Sequence, residues 1–332
     1  MNIMSQNNII SFRIRFEPIG HYTYIDSIKL NGALLNTLLM LYDNESDEII
    51  ESFKSGRTCS SSLFPYSTDF LYPINALLFY IDENLPWKQF VYEMKKRKEV
   101  PKFMTMSKIR EIFRLIMEQD KDRDSGFSID KKKIESLLPS SELSDSIWIP
   151  EADYRESVRL NDPTGLANGV FTRDYYSYGS RFISEKRYLW FQINSDLGKD
   201  KIENSLKLLK EMGISGDRTV GGGEFDYKIL SESNAENPNF KRGYHILLSK
   251  FIPSKEDLKI LDIGNSAYRF EMFSGLYDYG KLGIYRYILP GAILRSTANI
   301  DGSNANISGV RIQGHRRILS FTPLTEMVSH EI

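Results

Sequence analysis

The residues with the clearest chemical potential in this chain form a glycine-rich segment over 213–223, GISGDRTVGGG. Glycine has no Cβ, so its backbone can approach a phosphate closely and offer several N–H groups to it, and Arg218 adds a cation. The segment lacks the Lys-Ser or Lys-Thr ending of a P-loop, the strand-glycine-helix order of a dinucleotide fingerprint and the spacing of a kinase loop. Two interpretations stay open, namely a phosphate-contacting loop and a plain connector from helix to strand.

Titratable side chains form no convincing catalytic constellation. His21 follows the first predicted strand, where a histidine could act as general acid or base, but no matched second group can be identified beside it. A lone histidine is more often structural. Cys59 is the only cysteine, which excludes an intramolecular disulfide and a cysteine-based zinc site in this chain. We therefore predict no catalytic residue, no metal site and no cofactor.

The charge balance limits the kind of partner. The 332 residues include 43 Lys and Arg against 44 Asp and Glu, a net charge of −1, so the chain does not coat nucleic acid through bulk positive charge. A nucleic-acid site would have to be a local groove. The main basic concentration, 93–114, either steers RNA or forms a solvated helix face. No apolar stretch approaches the roughly 20 residues that span a bilayer, so we expect no membrane-spanning segment. The cysteine usage suits a reducing compartment, and we expect a cytoplasmic protein.

Apolar periodicity predicts the elements that must position the glycine-rich segment. Ile10–Phe16 alternates as a half-buried strand, and 28–42 has helical spacing. A β-prone aromatic strand follows at 187–193, and then an amphipathic helix at 200–212 with Gly213 at its C′ position. Another alternating strand comes directly after the glycines.

A polar, turn-forming run, Ser231–Asn239, is interpreted as a domain linker. Beyond it a capped short helix begins at Ser254, and strands are predicted at 244–251, 268–273, 283–289 and 310–321. This pattern predicts an α+β fold of two related units, residues 1–235 and 236–332, each with helices on one face of an antiparallel sheet.

Several motifs together resemble one protein family. The helix, the segment GISGDRTVGGGEF and the following strand resemble the glycine-rich loop of the RAMP superfamily of CRISPR proteins. Within it, the chain resembles the Cas five-like subunits of type III-A effectors, the fourth subunit of the Csm complex. Further stretches match that family in order, although Ala292 stands where the family has Ser; these are Ser60–Pro73, Lys95–Ile109, Arg159–Phe191, 251–257 and 289–292. The order of the motifs over most of 9–321 carries the resemblance.

The resemblance implies a non-catalytic RNA-binding subunit of antiviral defence. Members have two ferredoxin-like (RRM-like) domains and hold the 5′ handle of the CRISPR RNA. They cap one end of the backbone of RAMP subunits and contact the large polymerase-like subunit. Glycines, arginines and aromatics suit RNA that is held by its backbone and splayed bases.

By position, the resemblance also implies which residues contact RNA. The first group lies in the glycine-rich segment and comprises Gly216, Arg218, Gly221, Gly222 and Gly223. A second group matches the segment that lines the handle groove, with phosphate and 2′-OH as its partners, and comprises Arg57, Ser60, Ser61 and Ser62. The remaining candidates lie in an inserted thumb-like region and after the Gly291 turn, and they are Arg155, Arg159, Thr164, Arg181 and Arg295.

Two other functions stay open at this point. One is a metal-independent RAMP endoribonuclease that processes repeat RNA, with His21 and either Tyr22 or Tyr24 as its acid and base. The other is a pure protein-interaction subunit, in which the glycine-rich segment docks on a partner.

Overall fold

The computed structural model describes most of the chain and contains four α-helices, short 3₁₀ turns and antiparallel strands in the described residues. These residues are 9–19, 21–22, 25–74, 77, 103–121, 136–137, 152–158, 170–177, 188–214, 223–234, 242–273, 276–277, 280–281, 285–297, 311–313, 318–320 and 323–330. The predicted α+β class is confirmed. Within these ranges, no helix is both long and apolar enough to cross a membrane.

The helices and strands have the following bounds. The helices are α1 Ser27–Leu41, α2 Ser46–Ser55, α3 Met106–Lys121 and α4 Lys199–Met212, and 3₁₀ turns occupy Asp43–Glu45 and Asp257–Lys259. The strands are β1 Ile10–Ile19, β2 His21–Tyr22, β3 Cys59–Ser60, β4 Phe64–Tyr66, β5 Leu71–Pro73, β6 Phe103–Thr105, β7 Ala152–Val158, β8 Val170–Ser177, β9 Tyr188–Ser195, β10 Glu224–Asn234, β11 Gly243–Leu247, β12 Leu261–Ala267, β13 Phe270–Phe273, β14 Leu276–Tyr277, β15 Gly280–Lys281, β16 Tyr285–Ile288, β17 Ile293–Ser296, β18 Arg311–Gln313, β19 Ile318–Ser320 and β20 Thr325–His330.

The first sheet has the order β10-β1-β9-β3, and β4 also pairs with β9. All these neighbours are antiparallel. The connection from β1 through α1 reaches β3, with β9 lying between the two strands. The connection from β9 through α4 reaches β10, with β1 lying between them. The two crossovers therefore interleave, and the two central strands are β1 and β9.

One face of the first sheet packs against α1 and α4. Phe12, Ile14 and Phe16 of β1 share a buried cluster with Leu34 of α1 and Leu206 of α4. The Asp26 carboxylate caps α1 by accepting a hydrogen bond from the Lys29 N–H at 2.9 Å. Because successive residues of a strand point to opposite faces, the residues between these apolar ones lie on the other side of the sheet.

The second sheet has the order β12-β17-β11-β20 and shares a core with the first. Trp190 of β9 lies in one buried cluster with Phe113 of α3, Ile246 of β11, Ile293 of β17 and Val328 of β20. The other face of the second sheet buries its own cluster around Leu247 and Phe251. The two sheets therefore pack through a continuous apolar layer and through polar contacts at its edges.

One polar contact group between the sheets centres on Glu326 of β20. Its carboxylate accepts hydrogen bonds from Arg13 Nη2 at 2.8 Å and from the Tyr72 hydroxyl at 2.6 Å, and Arg110 of α3 lies 3.7 Å away. Burial, followed by the charge of Glu326, raises the pKa of Tyr72 well above its ordinary value. Three elements from different parts of the chain thus meet at one carboxylate.

A second contact group joins the start of α1 to the segment after β11. Lys250 Nζ lies 2.8 Å from the Asp26 carboxylate, and the Lys250 N–H donates to Ser27 Oγ at 2.9 Å. The Ser62 N–H donates to the Leu248 carbonyl at 2.9 Å. Burial opposes the charged form of Lys250, but the Asp26 carboxylate, together with the Tyr287 hydroxyl, outweighs burial and raises the lysine pKa. We refer to both contact groups together as the seam.

Two predicted features differ from the structure. Residues 231–234 belong to β10, whose last residue Asn234 pairs with Ile10, so this part of the predicted linker is a strand. Backbone pairing with β1 stabilises it in spite of its polar sequence, while 235–241 lie outside the described residues. Strand β12 was missed because LDIGNSA lacks an alternating apolar pattern; it lies at the edge of the second sheet, where polar residues are tolerated.

Candidate nucleic-acid interface

The base of the glycine-rich segment is a closed stem. Helix α4 ends at Met212, and Gly213 has a φ of +73°. The Ile214 N–H then donates to the Gly223 carbonyl at 2.9 Å, and Gly223 has a φ of +81°. These positive φ values favour glycine at both ends of the segment. The loop residues predicted to contact RNA, Gly216, Arg218, Gly221 and Gly222, lie outside the described residues.

The stem lies at the end of the first sheet where β1 terminates. Glu224, the first residue of β10, pairs with Ile19, the last residue of β1. Two residues after Ile19 the chain forms β2, which pairs with β8. Strand β8 also pairs with β7, so these three strands form a ribbon. The backbone therefore brings the glycine-rich stem and the root of this ribbon to one end of the sheet.

The thumb-like candidates belong to that ribbon or to its neighbouring segments. Arg155 lies in β7, where it pairs with Arg173 of β8. The predicted RNA contacts Arg159, Thr164 and Arg181 lie outside the described residues. The backbone of His21 lies in β2, opposite Ser177. The ribbon thus carries arginine positions on paired strands beside the stem.

Cationic and aromatic side chains occupy the face of the first sheet opposite α1 and α4. The Arg15 guanidinium carbon lies 4.1 Å from the centroid of the Tyr188 ring, and that of Arg13 lies 5.0 Å from the Phe70 ring. Lys228 of β10 pairs with Arg15 and is exposed. Sequence reasoning missed this group. The signal was present, because the alternation that predicts β1 places both arginines on the face away from the apolar residues.

The acidic residue Asp226 borders this face and is itself paired. Asp226 accepts a hydrogen bond from Lys210 Nζ at 3.0 Å. That bond, the Tyr227 N–H and the nearby charges of Lys210 and Arg15 lower the pKa of Asp226, so its carboxylate stays ionised at neutral pH. The bordering negative charge is therefore offset by a lysine of α4.

The predicted serine contacts have a structural role in this geometry. Ser60, Ser61 and Ser62 are fully buried. Ser60 Oγ donates to Asn31 Oδ1 at 2.9 Å, and Ser61 Oγ accepts from the Gln192 N–H at 2.9 Å. Ser62 Oγ accepts from the Ser27 N–H at 3.1 Å. Their hydroxyls are thus already hydrogen-bonded inside the chain, and contact between these serines and RNA stays a prediction.

The two remaining predicted arginines are held by carboxylates. Arg57 Nε donates to Asp196, a nearly buried carboxylate that also accepts from Ser52, while 42% of the Arg57 side chain is exposed. Arg295 Nη1 lies 2.9 Å from Asp262. Each arginine is therefore oriented by an acidic neighbour, and the structure does not bring these two residues into the group around Arg15.

The turn before Arg295 explains one glycine of the predicted motif. Gly291 has a φ of +87°, and a Cβ at this position would lie 3.0 Å from the Pro73 carbonyl oxygen. The Gly291 N–H donates to the Leu247 carbonyl at 2.7 Å. Only glycine fits here without displacing β5, so this turn serves the packing of the second sheet against β5.

The basic stretch 93–114 is described from residue 103 onward. In α3, Ile109, Ile112 and Phe113 are buried, whereas Arg110 and Arg114 are largely exposed. This part favours the solvated-helix interpretation. Among the residues that the structure describes, no group of three His, Cys, Asp or Glu side chains could hold a metal ion.

The chain is similar to known proteins of CRISPR systems. A curated protein of Methanocaldococcus jannaschii, described as CRISPR system Cms protein Csm4, is 24% identical over an alignment of 298 residues, and the match covers 74% of this chain and 73% of that protein. A chain in the crystal structure of the Csm3-Csm4 subcomplex of the type III-A CRISPR-Cas interference complex has a TM-score of 0.57 and 16% identity, covering 96% of this chain and 98% of its own.

A chain in the crystal structure of a Csm1-Csm4 cassette in complex with AMPPNP has a TM-score of 0.52 and 17% identity, covering 97% of this chain and 99% of its own. No family model matches the sequence. The resemblance drawn from the motifs is confirmed by the similarity to Csm4, and the fold likeness extends over nearly the whole chain.

Proposed function

We propose that this chain is a subunit of a type III-A CRISPR (Csm) effector complex and takes part in antiviral defence. The similarity to a Csm4 protein over 74% of the chain supports this assignment, as does the fold likeness to chains of two Csm4-containing complexes. The order of the sequence motifs agrees with this assignment.

Within that complex, the proposed role is to hold the 5′ handle of the CRISPR RNA without cutting it. The observation that carries this role is the closed glycine-rich stem beside the root of the β2–β8–β7 ribbon. A loop between two such elements can present backbone N–H groups to phosphates, and arginines on the ribbon can add charge. Single-stranded RNA is commonly held in this way, by its backbone and by unstacked bases.

The proposed partners are the large polymerase-like subunit and a backbone subunit of the complex, next to which this chain caps the filament. The supporting observation is that the similar folds occur in a Csm1-Csm4 cassette and in a Csm3-Csm4 subcomplex. We also propose two ferredoxin-like domains, divided near residue 235, acting in the cytoplasm. The interleaved order β10-β1-β9-β3 with two helical crossovers supports the first of these domains.

RNA that copurifies with the native complex tests the handle-binding role. Short RNAs with one repeat-derived 5′ end and variable sequence beyond it are the expected result. A stable protein partner without RNA would overturn this role and favour a pure interaction subunit. Specific cleavage of repeat RNA in EDTA that is lost in His21→Ala would overturn the non-catalytic part of the proposal.

A charge-matched pair of double variants locates the contact. Arg218→Ala with Gly222→Asp removes a cation and adds an anion in the glycine-rich segment, so handle RNA should bind at least tenfold more weakly. Lys54→Ala with Gly32→Asp makes the same charge change on α2 and α1, where a Cβ at Gly32 meets no atom within 4 Å. Equal affinities for the two double variants would contradict a contact at the segment.

A further inference from the structure

The first sheet carries a second group of residues suited to RNA, separate from the glycine-rich segment. Arg15 of β1 stacks over the ring of Tyr188 of β9 at 4.1 Å. Tyr66 of β4 lies directly opposite Tyr188, and Lys228 of β10 lies directly opposite Arg15. Paired residues share a face, so all four lie on the side away from α1 and α4. We call these four residues the sheet platform.

The platform begins where the shared core ends. Trp190, two residues along β9 from Tyr188 and on the same face, has no exposed surface and packs in the core between the sheets. Arg15, Tyr66 and Tyr188 are partly exposed. The stacked guanidinium and ring are therefore not enclosed by the fold, and a planar ligand can reach them from solvent.

The platform is also close to the proposed handle site along the backbone. From Arg15, β1 runs four residues to Ile19, which pairs with Glu224 next to the glycine-rich stem. At about 3.3 Å per residue, that separation is roughly 13 Å. An RNA strand whose phosphates are held at the stem can therefore place a neighbouring base over the platform.

We propose that the sheet platform binds one unstacked nucleobase of the RNA, stacked against the Arg15–Tyr188 pair, with Lys228 facing the adjoining phosphate. The inference rests on the proposed function, because it assumes that RNA is held at the glycine-rich stem. Aromatic rings and guanidinium planes are the groups on which proteins stack splayed RNA bases, and an exposed lysine supplies charge for the backbone. Stacking also tolerates any base identity.

Fluorescent RNA tests the proposal in the purified complex. The probe is an RNA with the 5′ handle of the host repeat that carries 2-aminopurine at one handle position at a time. One position should show stacking-dependent quenching in the wild-type complex. Tyr188→Ala should abolish that quenching and weaken binding roughly ten- to hundredfold, whereas Tyr188→Phe should keep both.

A matched control exists on the helix side of the sheet. Tyr42 lies under Lys201 Nζ at 5.8 Å, another partly exposed tyrosine below a cation, so Tyr42→Ala should change neither quenching nor affinity. Arg15→Gln keeps a long side chain and should reduce binding about as much as Tyr188→Ala. Ultraviolet crosslinking of the wild-type complex, mapped by mass spectrometry, should join RNA to Tyr188 or Tyr66, and this result depends on no variant.

The outcomes separate this inference from the proposed function. If the wild-type complex holds handle RNA, but crosslinks avoid the platform and Tyr188→Ala binds with unchanged quenching, the platform is overturned and the handle-binding role stands. If the Tyr188→Ala variant fails to assemble, the crosslink positions and the RNA affinity of Arg15→Gln test the platform instead. If the wild-type complex holds no RNA, both are overturned.

Discussion

The segment Ser60–Ser62 and the glycine-rich segment are both built largely from small residues, but their described parts are held in different ways. The three serines are fully buried, and their hydroxyls bond to residues of α1 and β9 and to their own backbone. The glycine-rich segment is instead tied at its base by a backbone hydrogen bond between Ile214 and Gly223. Small polar residues can therefore serve interior packing or ligand approach, and the available hydrogen-bond partners distinguish the two roles.

This comparison predicts that the seam and the serines govern stability, whereas the glycine-rich segment governs binding. The largest loss of stability is expected when Glu326 is substituted. Glu326→Ala leaves Arg13 and Tyr72 without their partly buried acceptor, so the free energy of unfolding in urea should fall by about 3 kcal/mol. The control Glu232→Ala, which breaks an exposed contact with Lys199, should cause no measurable change.

The second-largest loss of stability is expected at alkaline pH, where the contacts of the seam weaken. Tyr72 and Lys250 both have raised pKa values in the fold, so their contributions are complete below about pH 10 and are lost as the pH rises through the folded-state values. The free energy of unfolding should then fall by up to about 1.4 kcal/mol per pH unit for each group. Tyr72→Phe should flatten this slope above pH 10, and an unchanged slope would contradict the role assigned to its hydroxyl.

A smaller loss of stability is expected at the serines. Ser62→Ala removes the acceptor for the buried Ser27 N–H, which should cost about 1–2 kcal/mol in urea denaturation. Handle-RNA affinity of the folded complex should be unchanged if the Ser62 hydroxyl serves packing alone, so this measurement also tests the predicted contact with RNA. Ser67→Ala, at an exposed position, is the matched control and should leave both quantities unaltered. Weaker RNA binding without a loss of stability would instead support direct contact by the serine.

The smallest change in stability is expected in the glycine-rich segment. Deleting residues 217–220 keeps Ile214 and Gly223 and halves the loop between them, so loop-closure entropy should shift the unfolding free energy by only about 0.6 kcal/mol. Handle-RNA affinity should nevertheless fall at least tenfold because Arg218 is removed. A loss of stability comparable with that of Ser62→Ala would contradict the claim that the glycine-rich segment governs binding rather than stability.

Local periodicity predicted the central elements of the first sheet well. The expected strand at Ile10–Phe16 and the expected helices at 28–42 and 200–212 agree closely with β1, α1 and α4. The placement of β9 between β1 and β3 could not be derived, because strand pairing joins residues far apart in sequence and no local pattern records it. The same limit hid the extension of β10 through Asn234, since its polar residues are ordered by their partner strand.

The candidate site was also predictable only where a local sequence pattern determines the structure. Glycine at the end of α4 followed from helix-capping chemistry, and Gly213 has a φ of +73°, although its ψ of 160° lies outside the left-handed helical region of the usual glycine cap. The burial of Ser61 could not be inferred, because a serine motif has the same composition whether its hydroxyls meet protein or ligand. Arg15 could have been selected from the alternation of β1, but its stacking partner Tyr188 lies on another strand and required the fold.

The hydrogen bond that closes the glycine-rich stem separates the loop sequence from the folding of the elements beside it. Ile214 and Gly223 flank residues 215–222 and are joined by this hydrogen bond, so we expect changes between them to leave α4 and β10 in register. Specificity at this position can therefore diverge through mutation without a matching loss of foldability.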